Sequence, residues 1–445
     1  MRWLYFSFLF ILTSTLTACQ NDFWGEDDKV KLKGERVAIL LEPELFEKQN
    51  IKSIFANENT NAANIDEWKL SVSNPTIFGG NIYLNEAVNK PQKLLSIKAS
   101  SKFNLVAMPL ITSNFIYLMD GNANIVAYQK NTKKIVWRNK DLRETVSFKG
   151  KEFLNGGMQL ENGVVYATAG LNSVVAIDSN TGQAKWKQVL RGPSRAIPAL
   201  SSDKVLIQTV DNTLYALDKI NGEVLWIHVG MNTESQSLTT ALPIVINNEV
   251  IVQYSADEVY KLSLEDGSEI WRASINLQSA LLAENQEVSG SALAPTLQNG
   301  KIYTISSEGQ LFCIDAINGE LVWYKDLNLS GNFWAASEYI YAIDKKQQLL
   351  AVDKNNGHIR WNTDLRAIVE NGAKKKKPVI FFSASPIVTG DKVLVNTSLG
   401  KQLHFNIQNG ELISSLDIAK DVMLPPAIAN GQMYLLSNKG RLFAN

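Results

Sequence analysis

The sequence is short of most residues on which catalysis, metal binding and cross-linking depend. Only two of its 445 residues are cysteine, Cys19 and Cys313, and only three are histidine, His228, His358 and His404. Two cysteines exclude a thiolate metal cluster and a disulfide framework, so packing alone must hold the chain together. No Cys-Cys pair, Cys-x-x-Cys-His haem site, Gly-x-Ser-x-Gly, His-Glu-x-x-His or phosphate loop occurs. The histidines fall at unrelated points of the chain, so the sequence gives no catalytic residue, no metal ligand set and no cofactor site. Charge of one sign is also missing. Lysine plus arginine and aspartate plus glutamate both number 44, which leaves no basic field for nucleic acid. After Cys19 no apolar run approaches the roughly 20 residues that a membrane-spanning helix needs.

The first residues read as an export signal. Arg2 supplies the positive start, Trp3 to Leu12 an apolar run broken only by Ser7, and Thr13 to Ala18 a stretch of mostly small and polar residues. That run is too short to span a bilayer and reads as residues 1–18 of a signal peptide. Leu16-Thr17-Ala18-Cys19 resembles the lipobox of bacterial lipoproteins, which implies a lipid-attached Cys19 carrying palmitate-type acyl chains. Multiple chains would anchor the protein stably. Gln20, where an aspartate retains such lipoproteins in the inner membrane, points to the periplasmic face of an outer membrane. Residues 19–60 are read as the lipidated terminus and a tether, charged and without helical period over 20–35. Residues 61–445 are the folded domain. With Cys19 acylated, Cys313 has no partner.

What is present is a repeat. Gly182-Gln183-Ala184-Lys185-Trp186 recurs as Gly222 to Trp226, Gly267 to Trp271, Gly319 to Trp323 and Gly357 to Trp361. Lys133 to Trp137 lacks the glycine, Gly410 to Ser414 lacks the tryptophan, and Glu67-Trp68-Lys69-Leu70 is a degraded copy. Strand–turn–strand pairs lie near 115–128, 164–178, 204–218, 249–262, 301–315, 339–353, 392–407 and 432–443, in short β-branched and aromatic runs bounded by turn residues. Most tryptophan positions are about 38 to 53 residues apart, which fits four strands per unit and an all-β, eight-bladed β-propeller of four-stranded antiparallel blades. The tryptophans, and Tyr166, Tyr215, Tyr260, Tyr303 and Tyr341, are expected to pack between blades, and Asp178, Asp218, Asp315 and Asp353 to shape turns. Trp68 precedes the first pair and nothing follows the last. An N-terminal strand at Trp68 is therefore expected to join the C-terminal blade and close the ring.

Departures from the period mark candidate functional loops. They are an insertion over 74–103, expected to add strands or a lid; a helix-compatible stretch over Ser279 to Ser291; and the run Lys374 to Lys377, a solvated loop or a contact for anionic lipid or an acidic partner. After Trp186 comes Leu190-Arg191-Gly192-Pro193-Ser194-Arg195, a turn that is expected to set two arginines and an apolar leucine on the surface. Arginine and exposed apolar anchors are what protein interfaces favour.

The tryptophan pattern resembles the pyrroloquinoline-quinone alcohol dehydrogenases. The lipobox, tether, eight blades and lack of an active site together resemble the BamB family, the propeller lipoproteins of the outer-membrane β-barrel assembly machinery. That second resemblance implies a non-catalytic scaffold that binds periplasmic domains of a BamA-type barrel subunit, with unfolded outer-membrane proteins as a further candidate partner. It implies partner contacts by Leu190 as apolar anchor, Arg191 as charged contact and Gly192 as loop former, with Arg195 beside them. The family's second contact loop carries aspartates before a Thr-Thr-Pro, whereas Leu238-Thr239-Thr240-Ala241-Leu242-Pro243 lacks them. A propeller binding a small ligand or glycan in its central funnel, or a divergent quinoprotein dehydrogenase, is the alternative.

Overall fold

A computed structural model describes residues 62–68, 79–85, 90–99, 107–144, 156–231, 241–275, 294–370, 382–383 and 385–445. Cys19, the tether, Ser279 to Ser291, Lys374 to Lys377 and Leu238 to Thr240 lie outside the described residues. The described chain forms eight four-stranded antiparallel sheets, each a meander in sequence order. In blade 3 the strands are Ala199–Leu200, Lys204–Gln208, Thr213–Asp218 and Val224–Val229, from the innermost to the outermost. Blades 1 to 7 occupy 110–139, 157–189, 199–229, 244–274, 296–326, 334–364 and 387–417. The middle strands alternate β-branched and aromatic residues and are buried on both faces, while the outermost strands carry exposed side chains at alternate positions.

The eighth blade closes the ring by taking an N-terminal strand, as the sequence implied, but that strand is not the one at Trp68. Ala427–Ala429, Gln432–Leu436 and Arg441–Ala444 are completed by Gln92–Ser96, which pairs antiparallel with Arg441–Ala444 across a bulge at Lys93 to Leu95. Trp68 is not in that blade. Its carbonyl accepts the Ile111 amide at 2.8 Å, on the free inner edge of blade 1. A row of unpaired backbone groups there gives Trp68 its partner, and the indole is buried in the core cluster with Ile111 and Leu95. The interval 74–103 thus supplies the closing strand and a second inner segment.

That inner segment is residues 79–85. Gly80 donates to the Ala335 carbonyl at 2.7 Å, Ile82 to that of Val388 at 3.1 Å, and Asn85 to that of Gly431 at 3.0 Å. Ala335, Val388 and Gly431 belong to the innermost strands of blades 6 and 7 and the first turn of blade 8. The Trp334 indole N–H donates back to the Gly80 carbonyl at 2.7 Å. Axial space beside blades 6 to 8 and blade 1 is therefore filled by the chain's own N-terminal segments.

Tryptophans join neighbouring blades as the repeat implied. Each outer-strand indole lies against the glycine in the last turn of the following blade: Trp137 on Gly182, Trp186 on Gly222, Trp226 on Gly267, Trp271 on Gly319, Trp323 on Gly357 and Trp361 on Gly410. A β-carbon at Gly222 would sit 2.5 Å from Trp186 Cε3, and its φ of +79° already disfavours other residues. Indole N–H groups donate to the next blade's backbone, as from Trp186 to the Lys219 carbonyl at 3.0 Å and from Trp323 to that of Lys354 at 2.9 Å. Trp271 is the exception: the matching Ala316 carbonyl accepts Lys261 Nζ at 3.1 Å, and the Trp271 N–H has no partner among the described residues.

Tyr166, Tyr303 and Tyr341 stand on the second strands, in ring contact with Trp186, Trp323 and Trp361 at 5.9 to 6.1 Å. Tyr215 and Tyr260 are instead on third strands. The repeated aspartates do shape turns: Asp178 accepts the Asn180 and Thr181 amides, and Asp218 those of Ile220 and Asn221.

Candidate partner-binding face

Up-and-down order sorts the connections of every blade onto two faces. Turns between first and second and between third and fourth strands lie at one end. Turns between second and third strands, and the links from each outermost strand to the next blade, lie at the other. The irregular intervals 140–156, 190–198, 230–243, 275–295 and 365–386 all leave an outermost strand and return to an innermost one, so their roots share one face.

The connection from 190 to 198 is fixed there by its backbone. Leu190 donates to the Asn172 carbonyl at 2.8 Å and Ser194 to that of Leu171 at 3.1 Å, while Gly170 donates to the Ser194 carbonyl at 2.7 Å. On the other side Val210 donates to the Pro193 carbonyl at 2.9 Å, and the Ser194 hydroxyl to the Gln208 carbonyl at 2.9 Å. The link is thus fastened to the second turns of both blade 2 and blade 3. Gly192 is required by approach rather than by φ: a β-carbon would come within 2.9 Å of Asp211 Oδ1. Asp211 in turn accepts the Thr209 hydroxyl.

Arg191 is exposed at the crown of this link and Arg195 is half-buried. Leu190 is not a surface anchor. It is 3% exposed and belongs to a core cluster with Tyr166, Trp186, Leu200 and Ile207. The hydrogen bond from its N–H to the Asn172 carbonyl turns its side chain down between blades 2 and 3, whereas the glycine and proline after it suggest an outward turn. Burial pushes the phenol of Tyr215, beneath the link, up, and the nearby Arg191 backbone and guanidinium oppose that rise. On the same face, next to blade 1, Lys140 and Arg143 are exposed around the short helix Asp141–Glu144, and Lys187 pairs with Asp141. Sequence reasoning missed this basic neighbourhood because its members lie on separate connections. Ala241 and Pro243 are buried and Leu242 half-buried.

The histidines are not brought together. Nδ1 of His228, on blade 3, lies 2.7 Å from the Tyr254 hydroxyl; His404 is buried in blade 7; and His358 is in the last turn of blade 6. Among the described residues no group of three or more His, Cys, Asp or Glu side chains is placed to hold a metal ion. Cys313 is buried, with its thiol pushed up to about 11 by desolvation.

Eight blades, six of whose boundaries carry a tryptophan-on-glycine contact, define a propeller of the pyrroloquinoline-quinone-repeat class. The chain belongs to the family described as outer membrane protein assembly factor BamB, whose model matches residues 121–363, more than half of the sequence. BamB of Moranella endobia is 23% identical over 373 residues, covering 80% of this chain and 90% of that protein. BamB of Yersinia pestis is 25% identical over 222 residues, covering 49% of this chain. The chain spans only 56% of the Yersinia protein's length, and 57% and 61% of two uncharacterized rickettsial relatives. Among solved structures, BamB from Moraxella catarrhalis superposes with a TM-score of 0.62 at 17% identity, over 80% of this chain and 99% of that one. Quinohemoprotein alcohol dehydrogenase from Comamonas testosteroni gives 0.63 at 13% identity, over 86% and 81%. At these identities both likenesses show the fold alone.

Proposed function

We propose that the protein is a non-catalytic scaffold of outer-membrane β-barrel assembly, held at the periplasmic side of that membrane by lipid on Cys19. It binds periplasmic domains of a BamA-type subunit through the face that carries the 190–198 link. Membership of the BamB family supports the role, and the observation that carries the surface is the fastening of this link to two blades with Arg191 exposed at its crown. A rigid, pre-formed contact loses little entropy on binding, and a guanidinium offers a planar fork of donors to a partner carboxylate. Arg195 and the exposed Lys140 and Arg143 extend the basic character. Leu190 and Gly192 act from below, one by filling the blade boundary and the other by letting the link approach Asp211. Tethering both partners to one membrane raises their effective concentration, so a modest contact suffices.

The test is titration of Arg191→Glu against the periplasmic domains of the native barrel subunit. Charge reversal is expected to weaken binding at least tenfold, on the scale of about 1.4 kcal/mol per decade, with an unchanged unfolding midpoint. Unchanged affinity would exclude the link as the contact.

The alternative of a small ligand or glycan in the central funnel is disfavoured by one observation. Residues 62–68 and 79–85 take up inner strand edges on four of the eight blades.

A further inference from the structure

Blade 7 departs from the rule that joins each of blades 1 to 6 to the next. At six boundaries the outer strand presents a tryptophan beside the third-strand residue paired with it: Ala127–Trp137, Ala176–Trp186, Ala216–Trp226, Lys261–Trp271, Cys313–Trp323 and Ala351–Trp361. In blade 7 this row reads Leu394–His404–Ser414. The blade that follows has no last turn of its own, because its outermost strand comes from Gln92–Ser96. Both the indole and the glycine turn that would receive it are therefore missing here, as they are between blades 8 and 1, where Gln92–Ser96 carries no tryptophan and Lys133 takes the turn position.

The space is not closed. A cavity of about 370 Å³ remains on this side of blade 7, with Leu394, His404 and Ser414 on one wall and Asp391, Lys392 and residues 83–85 among its other borders; it is lined not by blade 8 itself but by the segment that bonds to the first turn of that blade. That volume lies within the range of small-ligand pockets, roughly 300–1,000 Å³. It opens on the face opposite to Arg191, since it reaches the first turn of blade 7.

Hydrogen bonding fixes what the cavity offers. Asn396 Nδ2 donates to the Leu424 carbonyl at 2.8 Å, so its Oδ1 accepts Gln402 Nε2 at 2.8 Å. Gln402 Oε1 is then an acceptor, and His404 Nε2, 3.0 Å away, carries the proton toward it. Burial, with Lys392 nearby, pushes the His404 imidazole down to about 4, so at neutral pH Nδ1 is bare. The Ser414 hydroxyl, 3.1 Å from Nδ1, must donate to it. Its oxygen lone pairs remain as an acceptor at the place where blades 1 to 6 carry an indole.

We propose that this cavity beside blade 7 is an open tryptophan dock, which takes the indole side chain of a tryptophan on another polypeptide. The ring N–H is received by Ser414 Oγ, and Leu394 supports the ring. A polypeptide source is favoured over a free small molecule because the equivalent row holds strand-borne tryptophan side chains in blades 1 to 6; the exposed Leu412 and Ile413 beside Ser414 have counterparts in other outermost strands, such as Val224, Leu225, Leu321 and Val322.

The probe is N-acetyltryptophanamide, with free indole as the second arm, followed by equilibrium dialysis of the full folded chain. A compound of this size in such a pocket is expected to bind with a dissociation constant on the order of 0.1–1 mM. Ser414→Trp combined with His404→Ala restores the repeat row, fills the cavity and should abolish binding. Ser414→Ala, which keeps the cavity and the fold, should weaken it by about twofold to tenfold, the worth of one hydrogen bond. No saturable binding at 10 mM, on the order of ten times the weakest expected constant, overturns the proposal. So does binding that survives the filled variant, or binding of free indole alone.

Discussion

Replacing Leu190 by alanine removes a side chain that lies among Tyr166, Leu200 and Ile207, and leaves a hole that the fastened link cannot collapse into. The expected loss is about 2–5 kcal/mol, read as a lower urea midpoint. Arg191 reaches solvent one residue further on; it meets that core only near the Tyr215 hydroxyl and fills none of it, so its charge reversal should leave the midpoint in place. If Leu190→Ala weakens partner binding, the effect should scale with lost stability; if Arg191→Glu does, it should not. Two titratable side chains set the pH dependence in opposite senses. His404 is lowered from 6.5 to about 4, so its contribution to stability is complete above pH 6.5 and is lost as pH falls toward 4. Asp257, which accepts the Ser307 amide and hydroxyl, is raised by burial from 3.8 to about 6. Its contribution is complete below pH 3.8 and is lost as pH rises through 6. His404→Gln should therefore flatten the loss on the acid side, and Asp257→Asn the loss on approaching neutrality. Stability curves measured from pH 4 to 8 that leave either slope in place would remove that residue from the account.

At the scale of the element, the same repeat position is solved twice with different chemistry. Lys219 and Lys354 each follow the turn-forming aspartate of their blade and reach back to the preceding one. The ammonium of Lys219 meets the Glu161 carboxylate and the Ser201 carbonyl. That of Lys354 meets the Gln298 amide oxygen and the Ser337 carbonyl, with no carboxylate among those contacts. Burial accordingly pushes Lys354 down to about 8. Gln298→Glu gives it the partner that Lys219 has. The substitution should return the lysine toward its ordinary range, but the replaced amide already accepts from the ammonium and its Nε2 donates to the Ala335 carbonyl at 3.1 Å, so the expected gain is small, about 1 kcal/mol or less. Unfolding free energies at pH 7 and lysine titration by NMR both read it, and a destabilised variant would mean that desolvating the new carboxylate outweighs the pair. Elements were also where the sequence was most legible. A glycine four residues before a tryptophan is needed wherever an indole must lie flat on backbone, so the outermost strands of blades 2 to 6 announce themselves. The closing strand Gln92–Ser96 has no glycine turn before it and no tryptophan, because it enters alone from the N-terminal side. Trp68 carried the right residue in the wrong setting, and was misassigned for that reason.

For the whole molecule, the ring and its sorting of connections follow from strand order, which alternation and turn residues made readable. The depth of Leu190 does not follow from sequence, because it depends on backbone bonds to two second-turn segments distant in the chain. Nor do the basic neighbours of Arg191, which come from separate blades and meet only once the ring exists. The asymmetry of the two faces is the property on which both proposed surfaces depend: stretched connections and Arg191 on one, the open dock of blade 7 on the other. A double variant carrying Arg191→Glu and the filled dock should lose both activities independently, with effects that add, since sites without shared contacts couple by less than about 0.5 kcal/mol.

Ser96 and Arg441 face each other in the last sheet although 345 residues separate them. A chain that crosses a membrane N-terminus first delivers the second of them only when nearly all of its residues have crossed. Until then the incomplete propeller has two ragged edges, and neither can be sealed by anything the chain has yet delivered. Seven blades can stack as they emerge, each on the one before, but the ring has no early version. The strand made first is the one that must wait, and a chaperone that covers residues 92–96 would hold the product open without touching a single finished blade.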